Sequence, residues 1–180
     1  PRYEPIWEAC EEVGLPVPIH SGSGTPDYGD YSFSPMLFVC ETSWFAHRPL
    51  TFVMWAGVFE RHPKLKWVMT EQGAGWIPSL LGRWDSLYDQ PMFQHLRGEL
   101  SLKPSEYWAR QCSVGASMLS RAECEVRHRI GVDTIMWGSD YPHPEGTWPH
   151  TKERIHQTFS GVPEAEMRAW HPPADVPGVQ

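Results

Sequence analysis

Apolar residues recur along the chain at two spacings, and segments with one spacing alternate with segments with the other. Ile6, Cys10 and Val13 lie at positions i, i+4 and i+7, which predicts a helix with one apolar face, and Gly14 is placed to end it. The next segment, "LPVPIH" at 15–20, is short and mostly apolar, which predicts a strand. A helix followed by a strand is therefore the first predicted unit.

The same alternation continues to residue 159. Strands are predicted at 65–72, 108–116 and 134–140, and helices at about 49–62, from 77 onwards, at 121–130 and at 151–159. Ser120 and Glu123 have the spacing of a capping box at the start of the 121–130 helix. Residues 22–43 are rich in Gly, Ser, Asp and Pro, which predicts a long irregular loop that covers an active site.

Strands that alternate with helices in this way predict an α/β fold with a parallel sheet of about four strands. In such folds the chemistry lies in the loops that leave the carboxyl ends of the strands. His20, Glu71 and Asp140 stand at three of these ends. We therefore expect the three side chains to meet at one edge of the sheet, although they are far apart in sequence.

Composition narrows the class of partner. The 180 residues carry a net charge of -7 with the two signs interspersed, which argues against nucleic acid and against an anionic membrane surface. A small molecule is the expected partner. The sequence contains no apolar run of the length of a membrane helix and no leader segment, which favours a cytoplasmic location. The four cysteines lie far apart, which indicates neither a zinc knuckle nor a disulfide framework.

His20, Glu71 and Asp140 are of the residue types that bind a divalent cation, because neutral imidazole and carboxylates are its usual ligands. Each residue also has a simpler interpretation. Asp140 could cap the turn before Pro142, His20 could be a hydrogen-bonded turn residue, and Glu71 could accept from amides of the "EQGAG" turn. The coincidence of all three at strand ends favours the metal site.

Other candidates stand close to these positions. His143 follows Asp140 in the stiff "DYPHPEG" segment, so it is a substrate contact or a turn residue. Trp76 is a candidate for the wall of a pocket that binds a planar ligand. The glycine pair in "GAGW" is weak support for dinucleotide binding. Surface positions are the default expectation for the remaining histidines outside helix ends, namely His47, His95, His128, His150, His156 and His171.

The segments "LPVPIHSG", "FERHPKLKWVMTEQGAGWIPSLLGRWD" and "IGVDTIMWGSDYPHPEGTWP" resemble amidohydrolase family 2, which includes aminocarboxymuconate-semialdehyde decarboxylase. The resemblance covers residues 3–168 and implies a (β/α)8 barrel, known as a TIM barrel, with one divalent metal ion, usually zinc. It implies that His20 and Asp140 bind the metal and that Asp140 is catalytic. Manganese and magnesium are the alternative ions, and a homodimer is implied by the resemblance alone.

The sequence departs from the family pattern at two places. Glu71 stands where the decarboxylases carry a catalytic histidine, so it could bind substrate, act as a base or join the metal ligands. The H-x-H or acidic-x-His pair of the first strand is missing from these residues, and a full barrel needs ~250 residues. Residues 1–180 are therefore expected to be one domain, the C-terminal half of a barrel, with an irregular tail at 169–180.

The leading hypothesis is a metal-dependent enzyme that hydrolyses or non-oxidatively decarboxylates a small organic molecule, with an aromatic or carboxylated compound as the candidate substrate. Glu71 and Asp140 are the candidate catalytic residues, and His143, Glu71 and Trp76 are the candidate substrate contacts. By itself the chain is expected to have little or no activity. The alternative is a non-catalytic binding or assembly module derived from such a barrel, in which the many aromatic residues form a partner surface.

Overall fold

The computed structural model describes residues 2–117 and 119–170. Its α-helices are α1 (Glu4–Val13), α2 (Ser34–Trp55), α3 (Val58–Arg61), α4 (Ile77–Asp89), α5 (Pro104–Gln111), α6 (Arg121–Glu125), α7 (Arg127–Ile130), α8 (Thr151–Phe159) and α9 (Glu164–Ala169). Its strands are β1 (Val17–His20), β2 (Trp67–Thr70), β3 (Cys112–Ser117) and β4 (Ile135–Gly138). Two 3-10 segments, Pro91–Gly98 and Val132–Thr134, complete the described elements.

The four strands form one parallel sheet in the order β1-β2-β3-β4, which is also their order in the chain. His20 pairs with Thr70, Thr70 with Gly115, and Gly115 with Met136. This register brings the carboxyl ends of the strands to one edge. The predicted α/β class with about four parallel strands is confirmed, and the sequential strand order is that of a barrel wall.

One face of the sheet carries the core. Burial alternates along β2 and β3, and Trp67, Met69 and Val114 are buried with the residues of the helices. Trp67 makes edge-on ring contacts with Phe59 at 6.1 Å and with Trp7 at 6.2 Å. The alternate residues face the opposite side and are more exposed, because strand side chains point to the two faces in turn. His20 belongs to that second, more open face.

Helix α1 ends as predicted, with Gly14 in the left-handed conformation at φ 68°. A buried histidine fastens the helix to the segment before β2. His62 lies 3.0 Å from Glu4 Oε1 through Nε2 and 3.0 Å from Glu11 Oε2 through Nδ1. Arg61 adds a bidentate pair with Glu4. Polar contacts therefore supply much of the attachment of a helix in which no residue is fully buried.

The predicted irregular loop at 22–43 is wrong beyond residue 33. Helix α2 begins at Ser34 and runs for 22 residues, past Pro49, which was expected to begin a helix. Pro35 occupies the first turn, where its missing N–H leaves no helical hydrogen bond unmade. The apolar run after Pro35 continues into a helix whose inner face is buried at Ala46 and Leu50. The irregular segment is therefore only 21–33.

Three other expectations need correction. The strand predicted at 108–116 is β3 only from Cys112, because 108–111 is the last turn of α5. The helix predicted at 121–130 is interrupted at Val126 and forms α6 and α7. Helix α9 reaches Ala169, inside the predicted tail, and residues 171–180 of that tail lie outside the described residues.

No helix in the described part of the chain combines the length and the apolar character needed to cross a membrane.

Candidate functional site

Three loops at the carboxyl edge of the sheet bring His20, Glu71 and Asp140 together. His20 Nε2 lies 3.0 Å from Glu71 Oε2. The Glu71 carboxyl group in turn lies close enough to that of Asp140 for each to shift the pKa of the other. One imidazole and two carboxyl groups from the ends of β1, β2 and β4 therefore share a single site, as the strand-end argument predicts.

The backbone at both carboxyl positions is unusual. Glu71 has φ 56° and Asp140 has φ 58°, and they are the two non-glycine residues with positive φ in the described part of the chain. This left-handed conformation is unfavourable for residues with a Cβ atom. It occurs immediately after β2 and two residues after β4, where it breaks the strand alternation and lets both carboxyl groups turn toward His20.

The His20 ring is oriented by a backbone contact. Its Nδ1 donates to the Ser21 carbonyl oxygen at 2.9 Å, which leaves Nε2 as the nitrogen that faces the carboxyl groups. A backbone carbonyl on one ring nitrogen is the usual way in which a protein fixes a metal-binding histidine. Ser21 Oγ also donates to Glu71 Oε2 at 3.2 Å. Sequence reasoning missed this role of Ser21, because a serine beside glycine is an ordinary turn residue.

The two carboxyl groups have opposite pKa shifts. Burial raises the pKa of Asp140, and the neighbouring Glu71 carboxylate raises it further. Burial also acts to raise the pKa of Glu71, but the hydrogen bond from Asp140 and the charge of His20 outweigh it, so that this pKa is lowered. The Ser21 carbonyl, followed by Glu71 and Asp140, raises the pKa of His20. A proton or a cation between the carboxyl groups is what holds such a pair together.

A second group of ligand-type side chains extends from Asp140 along the next turn. The ligand atoms of Asp140, His143 and Glu145 lie within 4.8 Å of one another. His143 Nδ1 is 3.6 Å from Asp140 Oδ2 and 3.7 Å from Glu145 Oε1. Gly146 closes this turn, since a Cβ atom there would lie 2.7 to 3.0 Å from the backbone oxygens of residues 139, 140 and 143. His143 is thus beside Asp140, as its spacing predicts, with its side chain more than half exposed.

Trp76 is the N-cap residue of α4 and lies behind the Glu71 turn. Its Nε1 donates to the carbonyl oxygens of Gln72 at 3.0 Å and Gly73 at 3.1 Å. Its ring stacks on His47, with centroids 3.9 Å apart, and contacts Trp108 edge-on. These contacts place Trp76 against the turn that carries Glu71.

The surface position expected for His47 is wrong. Its ring is half-buried between α2 and α4, and burial lowers its pKa to about 4, so the ring is neutral near pH 7. Its Nε2 has no hydrogen-bond partner among the described residues. The histidines at 95, 128, 150 and 156 are exposed as expected, and His171 lies outside the described residues.

A large apolar cavity lies elsewhere in the structure. A cavity of about 850 Å³ lies between α1, α2 and α3, lined by aromatic residues that include Trp7, Phe52 and Trp67. None of its lining residues belongs to the carboxyl edge of the sheet. The group of His20, Glu71 and Asp140, in which only the His20 side chain is largely exposed, therefore lies apart from this cavity.

A parallel sheet in sequential strand order, with ligand-type side chains at its carboxyl edge, defines the class of α/β barrels that act at the rim. Comparison with known protein families identifies a family within this class. The chain belongs to amidohydrolase family 2, whose family model, described as "Amidohydrolase", matches residues 1–170. Related members of this family are metal-dependent hydrolases and decarboxylases.

Solved structures agree with this assignment. A 5-carboxyvanillate decarboxylase from Sphingomonas paucimobilis is 27% identical with a TM-score of 0.73, over 94% of this chain and 50% of that protein. An amidohydrolase from Mycobacterium avium subsp. paratuberculosis K-10 is 25% identical with a TM-score of 0.71, over 92% of this chain and 42% of that protein. A dihydroxybenzoic acid decarboxylase from Polaromonas sp. JS666, solved with manganese and 2-nitroresorcinol, shares the fold at 18% identity and a TM-score of 0.66, over 93% and 50%.

The chain thus spans about half the length of these solved relatives, which are TIM-barrel amidohydrolases. Among curated proteins, none matches the chain. The resemblance inferred from the strand-end motifs is confirmed for the family and for the fold.

Proposed function

We propose that this chain forms the rim of a metal-dependent enzyme that acts on a small aromatic carboxylate. The contact among His20, Glu71 and Asp140 is the single observation that carries the proposal. Non-oxidative decarboxylation is the reaction that we favour, because a relative at 27% identity is a 5-carboxyvanillate decarboxylase. Small-molecule chemistry is also consistent with a site that is built from loop ends at the edge of a sheet.

The donor types at this edge, one imidazole and two carboxyl groups, are those that a divalent cation binds. His20 Nε2 and Glu71 Oε2 are 3.0 Å apart, and two ligand atoms that share an ion with bonds of ~2.1 Å lie about this far from each other. We propose that His20 and Asp140 bind the ion, with Glu71 beside them. When bound, a divalent ion supplies positive charge that polarises a substrate oxygen. We propose zinc, with manganese and magnesium as the alternatives.

The remaining chemistry falls to the side chains of this chain. In a decarboxylation the bond between the ring carbon and the carboxylate breaks, its electron pair stays on the ring carbon, and carbon dioxide leaves. The ring carbon then takes up one proton, and Glu71 and Asp140 are the groups that are placed to hold and deliver it. His143 and Trp76 are the proposed substrate contacts, His143 from the exposed turn and Trp76 from the wall behind Glu71.

Hydrolysis is the second candidate, and the identity of residue 71 favours it. A carboxylate at this position, where the decarboxylases of the family carry a histidine, is able to accept a proton from an attacking water. In this case the water oxygen forms the new bond to the substrate carbonyl carbon, the bond from that carbon to the leaving group breaks, and the leaving group keeps its electron pair and takes the proton. A homodimer and a cytoplasmic location stay predictions from the sequence.

Metal binding tests the proposal directly. We expect residues 1–180 to bind zinc or manganese in isothermal titration, and His20→Ala and Asp140→Asn each to weaken binding at least tenfold, as loss of a ligand does. Glu125→Gln is the matched control, because Glu125 is exposed and pairs with Arg121 away from the site. The same titration with magnesium gives a third affinity, and the tightest of the three identifies the preferred ion.

An unchanged metal affinity in His20→Ala would remove His20 from the site. Saturable binding of a hydroxybenzoate without any metal, in the wild type and in both variants, would instead support the binding-module alternative. The two outcomes separate the enzyme from the module without an activity assay.

A further inference from the structure

The turn that follows Glu71 is held by a carboxylate from a distant part of the chain. Glu123 Oε1 accepts hydrogen bonds from the backbone N–H groups of Ala74 at 2.6 Å and Gly75 at 3.0 Å. Successive backbone N–H groups that point at one acceptor form an anion-binding concavity. Here the anion is a side chain of the protein itself.

The second oxygen of the same carboxylate caps α6. Glu123 Oε2 accepts from the backbone N–H of Ser120 at 2.8 Å and from Ser120 Oγ at 2.7 Å, and the Ser120 hydroxyl accepts from the Glu123 N–H at 3.2 Å. This is the capping box that the sequence predicts. One side chain therefore joins the loop after β3 to the loop after β2, and the sequence spacing shows only the first of these roles.

The two glycines of "GAG" are explained by the same contact. A Cβ atom at Gly73 would lie 2.5 Å from Glu123 Oε1, and one at Gly75 would lie 3.3 Å from Glu123 Cγ. Gly73 also has φ 58°, which favours glycine. The glycine pair thus admits an internal carboxylate, and this occupied concavity accounts for the pair without dinucleotide binding.

The opposite side of the turn is also braced. The indole N–H of Trp76 bonds the carbonyl oxygens of Gln72 and Gly73, and Gln72 Nε2 donates to the Ile19 carbonyl oxygen at 3.1 Å. Glu71 is the residue immediately before this doubly held segment. Its left-handed backbone persists only if the neighbouring residues are fixed, because that conformation is unfavourable for a glutamate.

We propose that Glu123 is a positioning residue, which fixes the 73–75 turn and thereby the direction in which Glu71 presents its carboxyl group to His20 and Asp140. The consequence for metal affinity rests on the proposed function, whereas the consequence for the turn does not. Glu123 does not touch the site, so its effect on the site is exerted through the backbone.

Hydrogen exchange tests the effect on the turn. Glu123→Ala removes the single oxygen that accepts from both turn amides. We expect exchange to rise at least tenfold at the amides of Ala74 and Gly75 in this variant. Ser120→Ala is the matched control, because it removes the serine side chain from the α6 cap and leaves both turn contacts in place.

Manganese titration tests the effect on the site. We expect about tenfold weaker binding in Glu123→Ala, the size seen when a residue that orients a ligand is lost, and less than a twofold change in Ser120→Ala. Gly73→Ala is a second variant, which displaces the carboxylate from the turn and leaves Ser120 untouched. It is expected to behave like Glu123→Ala, and it replaces that variant if the latter does not fold.

Equal effects of Glu123→Ala and Ser120→Ala on exchange, or no effect of either, would overturn the proposal. Unchanged manganese affinity together with raised exchange would overturn the link from the turn to Glu71. If the wild type itself binds neither manganese nor zinc, the proposed function fails, and the exchange measurement alone then decides whether Glu123 positions the turn.

Discussion

At the scale of single residues, the site depends on two carboxyl residues in a conformation that suits glycine. Glu71 and Asp140 both have positive φ, and both follow buried strands. Such a backbone costs roughly 1 kcal/mol for a residue with a Cβ atom. The conformation is retained because it turns both carboxyl groups to the same point. Stability is thus lower at the two positions that the chemistry uses.

This arrangement predicts a variant that binds metal more weakly at little cost in stability. In Glu71→Gly, the relief of backbone strain, roughly 1 kcal/mol, offsets the loss of the contacts with His20 and Ser21, so the free energy of unfolding is expected to change by less than about 1 kcal/mol. Urea unfolding measures the change, and metal titration of the same sample should show weaker binding. Glu145→Gly, in the neighbouring turn and without positive φ, has no strain to relieve and should destabilise the protein. A loss of more than about 2 kcal/mol in Glu71→Gly would contradict the argument.

At the scale of elements, helix α1 depends on charged contacts to the segment before β2. The Arg61 and His62 hydrogen bonds lower the pKa of Glu4 to about 2. A carboxyl group whose pKa is lower in the folded state stabilises that state above the pKa of the unfolded chain, and the contribution disappears as pH falls through the folded pKa. The attachment of α1 is therefore expected to weaken between about pH 4.5 and pH 2.

Acid titration followed by tryptophan fluorescence checks this expectation, because Trp7 of α1 contacts Trp67 of β2. The wild type should show a change in emission between about pH 4.5 and pH 2, and Glu4→Gln should show the changed emission already at pH 7. Glu8→Gln is the control, since Glu8 is an exposed residue on the same helix. Identical profiles for the wild type and Glu4→Gln would show that Glu4 does not hold the helix.

At the scale of the whole molecule, the sheet has two outer strands, β1 and β4, each with a neighbour on one side only. Unpaired strand edges and exposed apolar surface favour association. The described residues also expose large apolar side chains along α2, among them Met36, Val39 and Phe52. The solved relatives are about twice as long as this chain, and their barrels pair all the strands.

We therefore expect residues 1–180 alone to associate and to have little or no turnover. Light scattering should give a mass of at least twice 20.7 kDa, and the apparent mass should fall on dilution. Decarboxylation of 5-carboxyvanillate, followed by release of carbon dioxide, should be near background for this chain. A monomer that turns over this substrate at an ordinary enzymatic rate would show that four strands suffice for the reaction.

Much of the fold follows from local sequence. The strands, the end of α1 at Gly14 and the capping box at Ser120 have patterns that depend on a few neighbouring residues, and the structure contains all of them. Helix α2 was missed because Pro35 and Pro49 were interpreted as helix boundaries. In the structure Pro35 lies in the first turn and Pro49 lies inside the helix. Proline marks a boundary only where packing does not outweigh the lost hydrogen bond.

The candidate site follows from sequence less completely. The convergence of His20, Glu71 and Asp140 was predictable because strand ends in a parallel sheet share an edge. The roles of Ser21, His47 and Glu123 were not predictable, because each depends on a contact with a loop that is distant in sequence or on backbone geometry. The pattern shows where a loop leaves the sheet, but not which side chain of another loop comes to rest against it.

The carboxylate that fills the turn after β2 also limits how the sequence can vary. A side chain at 73 would collide with the Glu123 carboxylate, and the N–H groups of Ala74 and Gly75 keep their acceptor only while 123 is acidic. In a library randomised at both positions and selected for function, the two identities should be inherited together, and swapping either one singly into a related protein should fail where transfer of the pair succeeds.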